Sequence, residues 1–436
     1  MAKTNDAGDP SVSGALKGGT VKASGGQTIP GQYVVLFKDS GMPETKVKSL
    51  TASLANKVKG ATLQTYGASV KGFAVKTNTA GAKKLASDPN VSSVRQDEVV
   101  KVSSFDGPSN IQDDAKVVTA ASAPTKMSAV KTPGVSANLY QQYVPNPPNS
   151  YWGLDRIDQR PAVLNNAYLF YYTAPTVRVY ILDTGIRATH TQFAGRVLPG
   201  ATAINDGYGT DDCNGHGTHV SGIVGGSTYG VAKSVRLVPV RVLDCGGSGS
   251  YSGVIAGVDW VTRQKALYPN IPMVANMSLG GSWYWPLDLA VHRSIEAGVT
   301  YTVSAGNSVS NACNYSPADT LSAITVGAMG DYEDPYWPDW DERSSFSNYG
   351  GCVDLFAPGA WIRSSTVSGS SNTASATWSG TSMAAPHAAG VAALYLSLYP
   401  AANPMAVRNW MVSVSTKNML RSIGSGSPNA LLYNPL

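Results

Sequence analysis

The chain has 436 residues, more than one ordinary domain of about 100–200 residues holds, so two units are expected, one of them large. Apolar residues make up 43% and charged residues 14%, which excludes disorder throughout, and no run of about 18 apolar residues is present to cross a membrane as a helix. The net charge of +5 is uneven: residues 1–150 carry 17 Lys and Arg against 10 Asp and Glu, while residues 151–436 carry 16 against 18. Trp152 is the first tryptophan, and most lysines precede it. Two units of opposite net charge fit this split and would attract each other. The lysines are scattered, with no aromatic or arginine-rich cluster beside them, which argues against a nucleic-acid partner.

Residues 1–30 are Gly, Ser, Thr and Lys with little apolar content and read as a disordered tail. Residues 1–10 lack the apolar stretch of a secretory leader. Residues 31–103 read as a small α+β domain. Tyr33-Val34-Val35-Leu36-Phe37 is a strand, and Val47, Leu50, Leu54 and Val58 recur at helical spacing. A second strand covers 70–75 and a second helix 80–87. Further strand is expected at 91–94 and 99–102. The order β-α-β-β-α-β is the split-βαβ pattern. Residues 104–149 show no clear period and read as a long linker closing on Val144-Pro145-Asn146-Pro147-Pro148-Asn149.

From residue 150 to 436, apolar strands alternate with helical stretches. Strands are expected at 177–182, 235–242, 271–279, 299–304 and 321–326, and helices at 218–224, 254–267, 287–297, 382–398 and 404–414. That alternation predicts an α/β fold, a doubly wound and largely parallel sheet covered on both faces.

Three segments set reactive side chains at the ends of these elements. Asp183-Thr184-Gly185 follows an apolar strand, at a sheet's carboxyl edge where α/β sites form; alone, it is also good turn chemistry. Gly215-His216-Gly217-Thr218-His219 places glycines around a histidine, so backbone and substrate can approach closely. A metal reading of His216 and His219 lacks a third ligand motif, and His219 reads as a packed core histidine. Gly380-Thr381-Ser382-Met383-Ala384-Ala385-Pro386-His387 opens a helix on a serine, whose backbone N–H joins the unpaired amides that favour negative charge. Alone, this is also an ordinary N-cap. Together, in the order Asp183, His216, Ser382, they form the Asp-His-Ser arrangement of a serine hydrolase, in the chain order of subtilisin.

The chain resembles the subtilisin-like serine peptidases, and within them the proteinase K group. The resemblance covers most of residues 150–436 and rests on those three segments together with Asn276-Met277-Ser278-Leu279-Gly280-Gly281 and Ser304-Ala305-Gly306-Asn307. Residues 31–103 resemble the family's inhibitory propeptide. The resemblance implies a secreted serine endopeptidase made as a self-processing zymogen, working as a monomer on protein or peptide substrates. The alternative is a catalytically inactive binding protein on the same fold. It implies Asp183, His216 and Ser382 as the triad and Asn307 as an oxyanion donor. The edges Gly249-Ser250-Tyr251 and Ser278-Leu279-Gly280 would receive substrate as an added strand. The small, uncharged wall of Ser304, Ala305 and Gly306 predicts an apolar or aromatic P1 residue. The propeptide's end would lie in the cleft, with Val100 and Val102 in apolar subsites and cleavage near residues 102–104, and with a second cut near 143–149 to complete maturation.

Four cysteines allow three pairings. The resemblance to thermophilic members implies Cys213 with Cys245 and Cys313 with Cys352, which fits an oxidising compartment. It implies no cofactor for catalysis but a structural calcium on the carbonyls of Leu321 and Ala323 and the carboxylate of Asp354. Asn276-Met277-Ser278 matches a glycosylation sequon but lies in an expected buried strand. Residues 331–342 form an acidic, aromatic insertion longer than the group's usual pattern.

Overall fold

The computed structural model describes residues 25–103, 112–113, 125–132, 135–145, 151–330 and 341–436. Residues 1–24, much of 104–149 and all but the end of the acidic insertion lie outside the described residues.

The N-terminal unit runs β1 (Thr28–Phe37), α1 (Glu44–Lys57), β2 (Ala61–Tyr66), β3 (Gly72–Lys76), α2 (Thr79–Ala86) and β4 (Val91–Val102). Its antiparallel sheet has the order β4-β1-β3-β2. The run Tyr33 to Phe37 is apolar throughout because β1 is buried on both faces. Tyr33, Val35 and Phe37 pack with Val47, Leu54, Phe73 and Leu85 in the unit's own core. Val34 and Leu36 face the other way, into a core shared with the large unit. β2 escaped the sequence pattern because its first three residues, Ala61 to Leu63, are exposed and set no apolar alternation. The two apolar stretches at 91–94 and 99–102 form one strand, β4, through Arg95, Asp97 and Glu98, all buried.

The large unit is built on a nine-stranded sheet in the order Ala201–Thr202, Arg236–Arg241, Arg178–Asp183, Met273–Met277, Thr300–Ser304, Ile324–Met329, Leu355–Pro358, Ala430–Leu431 and Thr416–Lys417. Every pairing is parallel except the last. Helices cover both faces, so strand side chains feed two cores alternately. Val179 and Ile181 enter one with the helices His216–Gly225 and Thr381–Leu398; Tyr180 and Leu182 enter the other with Tyr251–Leu267 and Trp285–Glu296. The expected strand at 271–279 is two: Met273–Met277 stays in the sheet, and after Ser278 the chain turns to an outer edge, Leu279–Ser282.

Part of the stretch read as linker is strand. Thr125–Thr132 pairs with Val135–Tyr143, which pairs in turn with Ala167–Phe170 of the large unit. Tyr140 stacks on Phe170 at 5.3 Å, the Gln142 side chain donates to the Thr228 carbonyl at 2.8 Å, and Val144 lies in the main core. This stretch has little apolar alternation of its own; the edge of Ala167–Phe170 supplies the ladder that makes it strand.

The two units share one sheet and a polar lock. β4 continues past its own unit to pair antiparallel with Ser248–Ser250 and with Leu279–Ser282. Asp259, in the helix Tyr251–Leu267, accepts from the backbone N–H groups of Gly67, Ala68 and Ser69 at 2.7–3.2 Å and is 3% exposed. Asp97 accepts from the Ser252 N–H at 3.0 Å, at the start of the same helix, and burial pushes its carboxyl up to about 6. Removing a buried charge that holds amides of a partner costs about 2–5 kcal/mol, ~30-fold or more in affinity. The Asp259→Ala enzyme is therefore expected to bind added residues 25–103 at least ~30-fold more weakly. The measurement is the inhibition constant of that domain against pre-folded enzyme; equal constants for variant and parent contradict the lock.

Candidate active site

Asp183 ends a central strand, His216 opens one helix, and Ser382 lies in the first turn of another. Gly215 has φ 109°, a left-handed conformation that turns the chain into the histidine helix, and a Cβ there would meet Thr366 Oγ1 at 2.5 Å. His216 Nδ1 lies 2.8 Å from Asp183 Oδ1 and 3.0 Å from Oδ2, with both residues buried. A carboxylate at that nitrogen selects the tautomer with its proton on Nδ1, leaving Nε2 as the acceptor. Nε2 is buried and has no hydrogen-bond partner.

The serine helix, Thr381–Leu398, is apolar on all sides and runs through the core. Ala384, Ala385, Ala388, Ala389 and Gly390 let it approach the sheet closely. Pro386 lacks the N–H that would bond the Ser382 carbonyl one turn back. The Ser278 hydroxyl takes that place, donating to Ser382 O at 2.9 Å. Ser278 Oγ in turn accepts from Asn276 Nδ2 at 2.9 Å, and Asn276 Oδ1 accepts from Thr302 Oγ1 at 3.0 Å. Asn276 is fully buried in this chain of bonds, which accounts for a sequon in a place no glycan reaches.

The end of β4 fills the cleft. Val99, Val100 and Lys101 oppose Ser250, Gly249 and Ser248, while Lys101 and Val102 oppose Gly280 and Leu279. Ser103 donates its N–H to the Ser278 carbonyl at 3.2 Å. The Ser103 carbonyl oxygen accepts from the Ser382 N–H at 3.2 Å and from Asn307 Nδ2 at 2.6 Å. Asn307 Oδ1 accepts from Thr381 N at 3.0 Å and Thr381 Oγ1 at 2.8 Å, which fixes which end of its amide faces Ser103. The Ser382 hydroxyl donates to the Ser278 carbonyl at 3.0 Å. Val100 is fully buried with Tyr251, Leu279 and Tyr284, and the rings of Tyr251 and Tyr284 stack at 4.4 Å. Ser304, Ala305 and Gly306 follow at the end of a neighbouring strand, close to Leu279, whose carbonyl accepts from Ser304 Oγ at 3.5 Å.

His219 is a packed core histidine, as its sequence context implied. Its Nε2 pairs with the Ala376 carbonyl at 3.0 Å, its ring stacks on Trp378 at 4.5 Å, and burial pulls it down to about 3. It leaves no second histidine ligand for a metal at His216. Cys213–Cys245 and Cys313–Cys352 are disulfides.

The expected calcium ligands do not fit a cation. Asp354 Oδ1 is taken by Arg408 at 2.5 and 3.1 Å and Oδ2 by the Thr325 N–H at 2.9 Å, so a guanidinium already neutralises the carboxylate beside Leu321 and Ala323. Another buried carboxylate pair lies elsewhere, with Asp155 accepting from the Asn165 and Asn166 N–H groups at 3.2 and 2.6 Å. Asp155 and Asp158 sit beside Gln159 and Asn165, burial pushes Asp158 up to about 8, and Asp158 Oδ1 is buried without a partner. Sequence reading passed over this pair and Asp212, because nothing in their neighbours signals that their carboxylates are buried.

Residues 175–426 match the Subtilase family, and residues 32–103 match the peptidase inhibitor I9 family. The chain is 41% identical over 426 residues to the extracellular serine proteinase of Thermus sp. (strain Rt41A), covering 94% of this chain and 90% of that one. It is 39% identical to the alkaline serine exoprotease A of Vibrio alginolyticus, covering 93% and 68%. Among solved structures, a cold adapted subtilisin-like serine proteinase is 46% identical with a TM-score of 0.59, over 65% of this chain and 97% of that one. Fervidolysin from Fervidobacterium pennivorans, at 20% identity and a TM-score of 0.64 over 96% of this chain and 64% of that one, shares the fold. The chain belongs to the subtilase family. It is a subtilisin-like serine proteinase preceded by an I9 inhibitor domain. Asn307→Ala, which removes one of two donors to the carbonyl oxygen, is expected to lower kcat about 10²–10³-fold with KM little changed, as steady-state kinetics on a peptide substrate would report.

Proposed function

We propose that the protein is a secreted endopeptidase in which Ser382 is the nucleophile, His216 the general base and then acid, and Asp183 the group that orients and stabilises the imidazole. The observation that carries this is the Ser103 carbonyl oxygen, held by the Ser382 N–H at 3.2 Å and by Asn307 Nδ2 at 2.6 Å, where a peptide's developing oxyanion would sit. In the reaction the Ser382 hydroxyl leaves the Ser278 carbonyl and turns to His216 Nε2. The imidazole takes the hydroxyl proton as Oγ bonds to the carbonyl carbon. The same proton then passes to the leaving amine, and water releases the acyl group by the reverse sequence. Of the described residues, no helix is long and apolar enough to cross a membrane, and the Thermus relative is named as extracellular.

The substrate binds as a strand between Gly249-Ser250-Tyr251 and Ser278-Leu279-Gly280. Ser304, Ala305 and Gly306 offer a P1 side chain no charge, so apolar and aromatic residues are preferred there. Tyr251, Leu279 and Tyr284 prefer an apolar side chain three residues earlier, where Val100 sits. The bond cut in maturation is Ser103–Ser104. Ser103 is a small polar P1, but this substrate is tethered, and its high effective concentration at the site offsets a weak P1 contact. The strand Val135–Tyr143 then stays with the mature enzyme, anchored by Gln142 and Val144. Ser382→Ala is expected to give a folded, uncut chain of 436 residues, whereas the parent yields a mature species starting at Ser104. Mass spectrometry reads both; normal maturation of the variant, or a parent N-terminus near residues 143–149, would overturn the respective part.

The structural calcium is proposed at Asp155, Asp158, Gln159 and Asn165, where a hard cation would relieve two crowded carboxylates. Without the cation, Asp158 binds a proton in the folded state up to about pH 8, far above its unfolded range. Its contribution is then present at low pH and lost as pH rises toward 8. A chelator is therefore expected to lower Tm more at pH 9 than at pH 5, and Asp158→Asn to remove that sensitivity. Equal chelator effects in parent and variant contradict this site.

A further inference from the structure

We infer that Asp212 is a positioning residue that holds Asp183 and His216 together through two crossed hydrogen bonds. Asp212 is fully buried, and its side chain bonds to Thr184, Asn214, Gly215 and Thr218 rather than to either member of the pair. Its Oδ1 accepts from Thr184 Oγ1 at 2.9 Å, from the Asn214 N–H at 2.9 Å and from the Gly215 N–H at 2.8 Å. Its Oδ2 accepts from the Thr218 N–H at 2.9 Å and from Thr218 Oγ1 at 2.7 Å. Among the described residues no cation bonds either oxygen; Arg187 bonds only the Asp212 backbone carbonyl, at 3.3 Å. Three backbone amides and two hydroxyls, rather than a counter-ion, satisfy this buried carboxylate.

The consequence lies in the two threonines. Each hydroxyl spends its single hydrogen on Asp212, so its oxygen is left to accept. Thr184, directly after Asp183, accepts from the Gly217 N–H at 2.9 Å, directly after His216. Thr218, two residues after His216, accepts from the Arg187 N–H at 3.0 Å, on the aspartate's segment. The two segments are thus laced together in both directions, one bond beside the catalytic contact. A Cβ at Gly217 would overlap the Gly185 carbonyl, so the segments are already at closest approach. One carboxylate orients both ties. Loosening them lets the imidazole drift from Asp183, and displacements of about 1 Å at a reacting group can cost about 10²-fold in rate.

The test uses the full chain, whose cut at Ser103–Ser104 is a single turnover with substrate already in place. Asp212→Asn keeps the shape but offers one acceptor oxygen for five donors. It is expected to slow self-cleavage about 10–100-fold and to move the acid limb of the rate's pH profile to lower pH, since a looser Asp183 stabilises the imidazolium less. Thr184→Val breaks one tie and is expected to slow the cut, whereas Thr184→Ser, which keeps the hydroxyl, restores it. Near-UV circular dichroism establishes that each variant is folded. Folded Asp212→Asn that self-cleaves at the parental rate with an unmoved acid limb overturns the inference. Should that variant not fold, Thr184→Val and Thr184→Ser cleaving equally fast overturn it instead.

Discussion

The serine helix must run through the middle of the molecule with its first turn at the carboxyl edge of a parallel sheet, and much else follows from that constraint. A helix buried on all sides has room only for small side chains where it crosses strands, hence the alanines between Ala384 and Ala393. Its N-terminal amides cannot reach water, so they must find acceptors within the protein. Asn307 takes one from Thr381, and the Ser103 carbonyl takes the one from Ser382. Pro386 frees the Ser382 carbonyl, and the Ser278 hydroxyl satisfies it from below. The site is the place where this helix's end groups are satisfied, and substrate is one of the groups that satisfies them.

That reading also accounts for the inhibitor domain. The edges Ser248–Ser250 and Leu279–Ser282 carry unpaired backbone groups in the absence of a third strand. β4 completes them, and Ser103, the residue after it, completes the oxyanion pair. In the proposed mechanism, inhibition, the first cleavage and substrate binding use one geometry. A doubly wound parallel sheet also folds through non-local contacts, so a domain that presents a ready strand to two separated edges lowers the entropy lost in bringing them together.

Buried carboxylates recur as the joints of the molecule. Asp212 joins the aspartate and histidine segments, Asp259 receives three amides of the inhibitor hairpin, and Asp97 caps a helix of the other unit. In each case backbone N–H groups stabilise the charge. Fixed dipoles of this kind hold position as well as charge, because a backbone amide cannot rotate away as a long cationic side chain can. Asp259 and Asp354 each add a guanidinium to their backbone donors, Arg263 at 2.9 Å and Arg408 at 2.5 Å.

The sequence alone determined the fold class and set Asp183, His216 and Ser382 in that chain order. Alternating apolar strands and helices admit few architectures, and Asp183, His216 and Ser382 lie in short motifs whose meaning is local. It also placed the histidine helix and the helix Pro404–Val414 well, the latter carrying its own cap in Asn403, which accepts from the Ala406 N–H. Tertiary structure decided which peptide bond lies at Ser382, that β2 and Val135–Tyr143 are strands, that Arg408 occupies Asp354, and that Asp212 ties two catalytic segments. Each of these depends on a partner far away in the chain: Ser103 meets Asn307 and Ser382, Tyr140 meets Phe170, Asp354 meets Arg408. A hydrogen-bonding group carries the same chemistry wherever it stands in a sequence, and only folding chooses its partner and removes the water that would otherwise compete.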